Sequence, residues 1–340
     1  MISFSTYHQT VNNSFDKKLH YVTEKTTIRH GENTIRHRNN AKRMNKTQIN
    51  TCNQKKPNYF MEEKYFESYY IYASAAELMD PFIHQHRYEL FINQNFKCKG
   101  KNVFLLVFIH MAPDNFAGRN LIRSTTGTIL SFHSKRIERV FVLGKTENTT
   151  LQQEIELESK RYMDIIQGNF IDSYRNLTYK LVFSLFWVNS FCNNAKFVIK
   201  MDDDIIINIP LVVPYLTEKV KAGKSVNVLE CKTITENIPV RERNNKWFIT
   251  LEEYPFSKFL PYCAGHSSIM SVDVVRKMYK ASQKVPYLWL EDVYGSEFLA
   301  LLLKINMFMP KFYFESVLNG LYGMPCSLFY LNILKITIIR

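Results

Sequence analysis

Three aspartates, Asp202, Asp203 and Asp204, follow the apolar run "FVIKM" and precede "IIIN". Adjacent carboxylates repel one another, so a chain that sets three at the end of an apolar run needs something to offset the repulsion. A hard divalent cation such as Mg²⁺ or Mn²⁺ does this, because such ions prefer oxygen ligands. In an extended D-x-D segment alternate side chains project to one side. That spacing predicts Asp202 and Asp204 facing one ion, directly or through water, with Asp203 pointing elsewhere. An ion so held bridges to a phosphorylated ligand and neutralises charge on a leaving diphosphate. The competing reading is a solvated acidic turn, since short acidic runs are common on surfaces; the apolar flanks weigh against it.

Something must hold those carboxylates at a fixed place. Val103 to Ile109 is a continuous apolar run, the pattern of a strand buried on both faces. "RVFVLG" (139–144) and "KFVIKM" (196–201) read the same way. Helical patterns lie between them: "NFAGRNLIRSTTGTIL", "TTLQQEIELESKRY" and "DSYRNLTYKLVFSLFWVNSF", the last with Asp172 or Ser173 as its N-cap. "NIPLVVPYLTEKVKAG" adds a helix with Pro210 in its first turn and Gly223 past its end. Strands alternating with helices predict an α/β fold with a mostly parallel, doubly wound sheet. Ligands of such sheets bind beyond the carboxyl ends of the strands, where the aspartates sit.

The 340 residues are 46% hydrophobic, enough for one large or two modest cores. The net charge of +13 is concentrated early, with 11 Lys/Arg against 3 Asp/Glu in residues 1–60. That basic stretch lacks the aromatic interleaving of a stacking platform and reads as a solvated leader, not as a nucleic-acid surface. Residues 1–85 are polar and irregular and are expected to be poorly ordered, and 326–340 form a short apolar tail. No window reaches the ~18–20 apolar residues of a membrane span, and the N-terminus shows no signal-peptide core. None of the six cysteines forms a CxxC pair. Sequons begin at Asn12, Asn45, Asn148 and Asn176.

The residues around the aspartates also carry a resemblance. "DSYRNLTYKLVFSLFWVNSFCNNAKFVIKMDDDIIIN" is similar to the core of the β-1,3-glycosyltransferases of glycosyltransferase family 31, whose pattern runs D-S-Y-x-N-L-T-x-K, then W and C, then A-K-x-x-x-K-x-D-D-D. "RNLIRSTTG" resembles the family's R-x-x-I-R-x-T-W-G, "FVLG" its F-x-L-G strand, the segment from Trp247 through "YPFSKFLPYCAG" its K-W to P-Y-C-S-G block, and "LEDVYGSEFLA" its E-D-V-Y-x-G block. The likeness spans roughly residues 100 to 300.

It implies a GT-A fold at 86–325, with a Rossmann-like nucleotide-binding half (about 100–208) and an acceptor-binding half (about 209–325). It implies inverting, Mn²⁺-dependent transfer from a UDP-sugar donor to a hydroxyl of a glycan or glycoprotein acceptor, in β-1,3 linkage, in the Golgi lumen, with membrane association. Galactose is the sugar nearest the family wording; N-acetylglucosaminyl transfer, or an inactive UDP- or sugar-binding relative, are the alternatives. By matching position Asp202 and Asp204 serve the metal, and Asp203 lies near the donor's ribose or sugar. Arg119 and Arg123 lie near the nucleotide, either forking onto phosphate or holding the fold through acidic partners. Trp247 walls the pocket, and Cys192, Cys231 and Cys263 are candidates for disulfides. Asp292 is the base and Glu291, beside it, contacts the donor; both also suit the cap of the helix beginning "VYGSEFL". The chain departs from the family at Thr126, which replaces Trp. It departs again at Ala264–Ser268, where a glycine turn is expected, and in having no histidine after His266.

Overall fold

The computed structural model describes residues 88–235, 237–310 and 315–316. The leader (1–85), the tail (326–340), Cys52, Cys326 and the sequons at Asn12 and Asn45 lie outside the described residues. In chain order the strands are β1 (Leu90–Ile92), β2 (Val103–His110), β3 (Ser131–Phe132), β4 (Lys135–Lys145), β5 (Ile165–Ile171), β6 (Phe197–Asp202), β7 (Ile205–Ile206), β8 (Leu229–Ile234), β9 (Tyr262–Ser271), β10 (Met307–Phe308) and β11 (Glu315–Ser316). Nine of them form one sheet, ordered β1-β5-β4-β2-β6-β9-β8-β10, with β3 beside β4; β7 and β11 pair separately. β5, β4, β2 and β6 run parallel, and β9 runs antiparallel to β6. One sheet thus passes through both of the expected halves.

Every residue of β2 is buried, as its unbroken apolar sequence requires of a central strand covered on both faces. Leu106 and Phe108 join the core on one face, Leu105, Val107 and Ile109 the core on the other. The first face is covered by α3 (Leu177–Phe191), α5 (Val272–Ser282) and a π-helix (Val293–Ala300). The second is covered by residues of α1 (Phe116–Ser124), α2 (Thr149–Tyr162) and α4 (Ile209–Lys221). Here α4 starts with Pro in its first turn and is followed by Gly223 at φ +67, as its sequence predicts.

Two local readings need correction. The stretch "NFAGRNLIRSTTGTIL" is not one helix. It ends at Ser124, where the Thr125 N–H caps Leu121 and Ile122, and the chain then folds back so closely that a Cβ on Gly127 would collide with the Ile122 carbonyl. Asp172 is not an N-cap: Ser173, the other candidate, takes that position at a 3₁₀ turn (Tyr174–Asn176) before α3, and Asn176 heads α3 itself. The Asp172 carboxylate instead accepts the Gly144 N–H (2.7 Å) and pairs with buried Lys180 (2.7 Å), tying the ends of β4 and β5 to α3.

Disulfides join Cys98 to Cys192 and Cys231 to Cys263. The first closes a span of 94 residues and so removes much of the unfolded chain's freedom. Replacing both Cys98 and Cys192 by Ser is expected to lower unfolding stability by about 2–5 kcal/mol, read from the guanidinium midpoint.

Candidate active site

Lys200 organises the site. It is the fourth residue of β6, in a strand that is otherwise apolar up to Asp202, and its side chain is 3% exposed. A buried ammonium needs partners, and this one has three. Its Nζ donates to Asp202 Oδ1 at 2.7 Å, to Glu291 Oε2 at 3.3 Å and to the Gly265 carbonyl. The partners come from β6, from the segment leading into the π-helix and from β9. Burial favours a neutral lysine, but Asp202 and Glu291 overcome it and hold the ammonium above its ordinary pKa. Two acidic motifs about ninety residues apart in sequence are thereby brought to one cation.

Asp292 stands at the head of the π-helix. Its Oδ1 accepts the Val293 N–H at 2.9 Å, so the capping role is real. Gly265 lies so close that a Cβ there would sit 3.3 Å from Asp292 Cβ. Burial raises the Asp292 pKa; the Val293 N–H and Lys200 oppose the rise and Asp202 adds to it. Burial also raises Glu291, against the pull of Lys200. π-helical segments often mark functional sites, and this one begins at the carboxylate expected to act as base.

The aspartates themselves do not form an extended D-x-D. Asp202 ends β6 and Asp203–Asp204 make a turn before β7, so the alternation argued from an extended chain does not apply. Asp203 accepts from Asn115 Nδ2 at 2.7 Å, and Asn115 Oδ1 caps α1 by accepting the Gly118 N–H. Asp203 therefore fastens the β2–α1 loop to the end of β6. Asp204 is exposed. Lys200 engages Oδ1 of Asp202, and that side chain remains 38% exposed.

The expected glycine turn is part of β9. Cys231 pairs with Ser268 across the sheet and Thr233 with Cys263, so five steps along β9 face two along β8. Ala264–Ser267 bulge away from β8, and the Cys231–Cys263 bridge closes the base of the bulge. Gly265 presents its carbonyl to Lys200 from this bulge. Ser267 is buried and bonded to His266 Nδ1 (2.9 Å). His266 itself feels the charges of both Asp202 and Asp204.

Arg119 and Arg123 require a correction: neither is a free fork for phosphate. Arg119 is fully buried and gives Nε and Nη2 to Glu158 (3.0 and 2.7 Å) and its remaining donors to the Ala112 and Pro113 carbonyls. Arg123 pairs with Asp164 (2.7 Å) and Glu158 (2.6 Å) and lies over Tyr162. Of the two roles open to them in sequence, holding α1 to α2 and β5 is the one the geometry adopts. Trp247 is half-exposed and donates Nε1–H to the Tyr174 hydroxyl at 2.8 Å. Tyr174 in turn lies within electrostatic reach of Asp292, Glu291 and Asp202, so Trp247 sits at the rim of the same constellation.

Lys200 and Tyr174 were absent from the residues predicted for the site. A lone lysine inside an apolar strand was the available signal for the first. No periodicity marks the second.

One more buried acid lies on the π-helix. Glu297 is fully buried and accepts the Tyr254 hydroxyl at 2.6 Å, and burial pushes its pKa up to about 8 from 4.5. The folded protein then binds a proton that the unfolded chain has released, so stability is full at low pH and declines as pH rises between about 4.5 and 8. The slope is at most about 1.4 kcal/mol per pH unit. Glu297→Gln is expected to flatten that decline, measured by urea denaturation on either side of the window.

Among the described residues, no group of three or more His, Cys, Asp or Glu side chains is arranged to hold a metal. Mg²⁺ and Mn²⁺ commonly take only one or two protein carboxylates and complete their shell with water and substrate phosphate; Asp202, partly exposed at the end of β6, and Asp204, exposed in the turn after it, are the two that could be offered.

Residues 117–310 match the galactosyltransferase family model. Over 203 residues the chain is 37% identical to human beta-1,3-galactosyltransferase 9, covering 60% of this chain and 54% of that protein. It is 35% identical over 198 residues to beta-1,3-galactosyltransferase 5 of Pan paniscus (58% and 64%). Against beta-1,3-galactosyltransferase 5 of Mus musculus it is 34% identical over 228 residues (66% and 72%). The chain thus spans between about half and two thirds of the length of the first of these relatives. With the α/β architecture and a matched segment that runs from α1 past the π-helix, this chain belongs to the galactosyltransferase family.

Proposed function

We propose that this protein is an inverting β-1,3-galactosyltransferase that moves galactose from UDP-galactose to a hydroxyl of a glycan or glycoprotein acceptor. The observation that carries the reading is the meeting of Asp202 and Glu291, the neighbour of Asp292, at Lys200. In this reading Asp202 and Asp204 are the residues that would hold Mn²⁺, which when bound would supply neutralisation of the charge developing on UDP. Asp292 accepts the acceptor's proton as that oxygen attacks the anomeric carbon. The bond from that carbon to the diphosphate breaks and UDP leaves with the electron pair. Lys200 keeps the strand end and the base at a fixed separation, and the Trp247–Tyr174 pair offers an aromatic face to a sugar. The relatives named above are galactosyltransferases, which favours galactose over N-acetylglucosamine as the sugar moved.

The reading places the protein in the Golgi lumen. Two disulfides suit an oxidising compartment. No helix among the described residues is long and apolar enough to cross a membrane, so membrane association is assigned to no described element.

The test is an array of UDP-sugars against β-galactoside and N-acetylhexosamine acceptors, with Mn²⁺ or with chelator. UDP-galactose and Mn²⁺ together are expected to give product. No metal-dependent turnover with any pair defeats the enzyme reading, and turnover confined to UDP-N-acetylglucosamine defeats the galactosyl one.

A further inference from the structure

We propose that Asn148 is an N-glycosylation site. It heads the sequon Asn148-Thr149-Thr150 between β4 and α2, and all three residues are exposed. The site has a chemical feature that the sequence alone does not give. Asn148 is the N-cap of α2, in extended conformation, and it caps through its oxygen: Oδ1 accepts the Leu151 N–H at 3.1 Å. Its amide nitrogen, the atom that carries a glycan, has no partner among the described residues. A sugar on Nδ2 therefore leaves the helix cap in place.

The other described sequon is differently built. Asn176 donates Nδ2–H to the Ile171 carbonyl at 2.8 Å, and the Thr178 hydroxyl is buried against the Leu288 carbonyl at 2.6 Å. At Asn148 neither the amide nitrogen nor the sequon threonine is engaged in this way.

The modifying chemistry belongs to the secretory pathway and uses a polyprenyl-diphosphate-linked oligosaccharide. The Asn148 nitrogen bonds to the anomeric carbon of that donor, the sugar–diphosphate bond breaks, the amide proton passes to the transferring enzyme, and the polyprenyl diphosphate leaves. This rests on the lumenal placement proposed above, to which the two disulfides independently point. The glycan would stand at the carboxyl end of β4, the edge of the sheet that also carries Asp202.

The full chain, made in a eukaryotic secretory cell line, is digested and mapped by mass spectrometry with and without peptide N-glycosidase, and its thiols are counted by maleimide labelling. The Asn148 peptide is expected to carry a glycan that the glycosidase removes with deamidation at Asn148. Thr150→Ala, which keeps the cap, should lose that glycan, and Thr150→Ser should keep it. Unmodified Asn148 in chains whose Cys98–Cys192 bridge has formed overturns the assignment alone. Unmodified Asn148 with free thiols overturns the lumenal placement as well.

Discussion

Asp292→Asn is expected to leave UDP and Mn²⁺ binding unchanged and to slow galactosyl transfer by about 10²–10⁴-fold, the usual contribution of a positioned base. Asparagine keeps the side-chain oxygen that accepts the Val293 N–H, so the helix cap survives. It also fits the narrow space beside Gly265, being nearly isosteric. What it cannot do is take a proton. Calorimetry with UDP and Mn²⁺ measures the first half of this expectation, and product formation under saturating donor measures the second. The wild-type rate should have a matching pH signature. A base works only when ionised, and burial raises the Asp292 pKa. Transfer should therefore rise with pH through a value raised from that of an ordinary aspartate, and the variant should lack that limb. A variant that transfers at the wild-type rate removes Asp292 from the chemistry.

Lys200→Met should damage both the fold and the reaction. Methionine matches the length of the lysine stem but abandons the buried Glu291 carboxylate and the Gly265 carbonyl. Breaking a buried pair from one side costs about 3–5 kcal/mol. The low end, about 3 kcal/mol, is the better expectation here, because Asp202 is partly exposed and water screens its share. Urea denaturation reads that loss. Adding Glu291→Gln removes the stranded charge and should recover part of it, with a coupling of about 0.5–3 kcal/mol between the two positions. Additive effects would show that Lys200 and Glu291 do not act on one another. Transfer by the stable double variant should remain low, since the direct ionic tie between the end of β6 and the segment bearing Asp292 is then gone.

The strands that carry the site were legible because a doubly covered strand must be apolar nearly throughout: "VFLLVFI" is unbroken, and "RVFVLG" and "KFVIKM" are apolar but for Arg139, Lys196 and Lys200. The place of the aspartates at a carboxyl end followed from the same runs. Their local shape did not follow. Asp203 and Asp204 form a turn, and the partner that Asp203 meets there, Asn115, reaches it from a loop 88 positions earlier and leaves no trace in local pattern. The arginines were ambiguous for a similar reason. A guanidinium beside a strand end suits phosphate and carboxylate equally, and only the fold brings Glu158 and Asp164 within 2.7 Å of Arg119 and Arg123. Disulfide connectivity is likewise a property of distance in space: Cys98 was not among the cysteines expected to pair, yet its Cα lies 5.1 Å from that of Cys192.

Diffraction from crystals grown with Mn²⁺ and UDP is the most direct test of a single site assembled from two distant acidic motifs. An anomalous manganese peak beside Asp202 and Asp204, with the diphosphate on the ion and Asp292 facing the position the sugar would take, is the result expected. Manganese and UDP bound away from the end of β6, or Asp292 turned from the bound nucleotide, would contradict it.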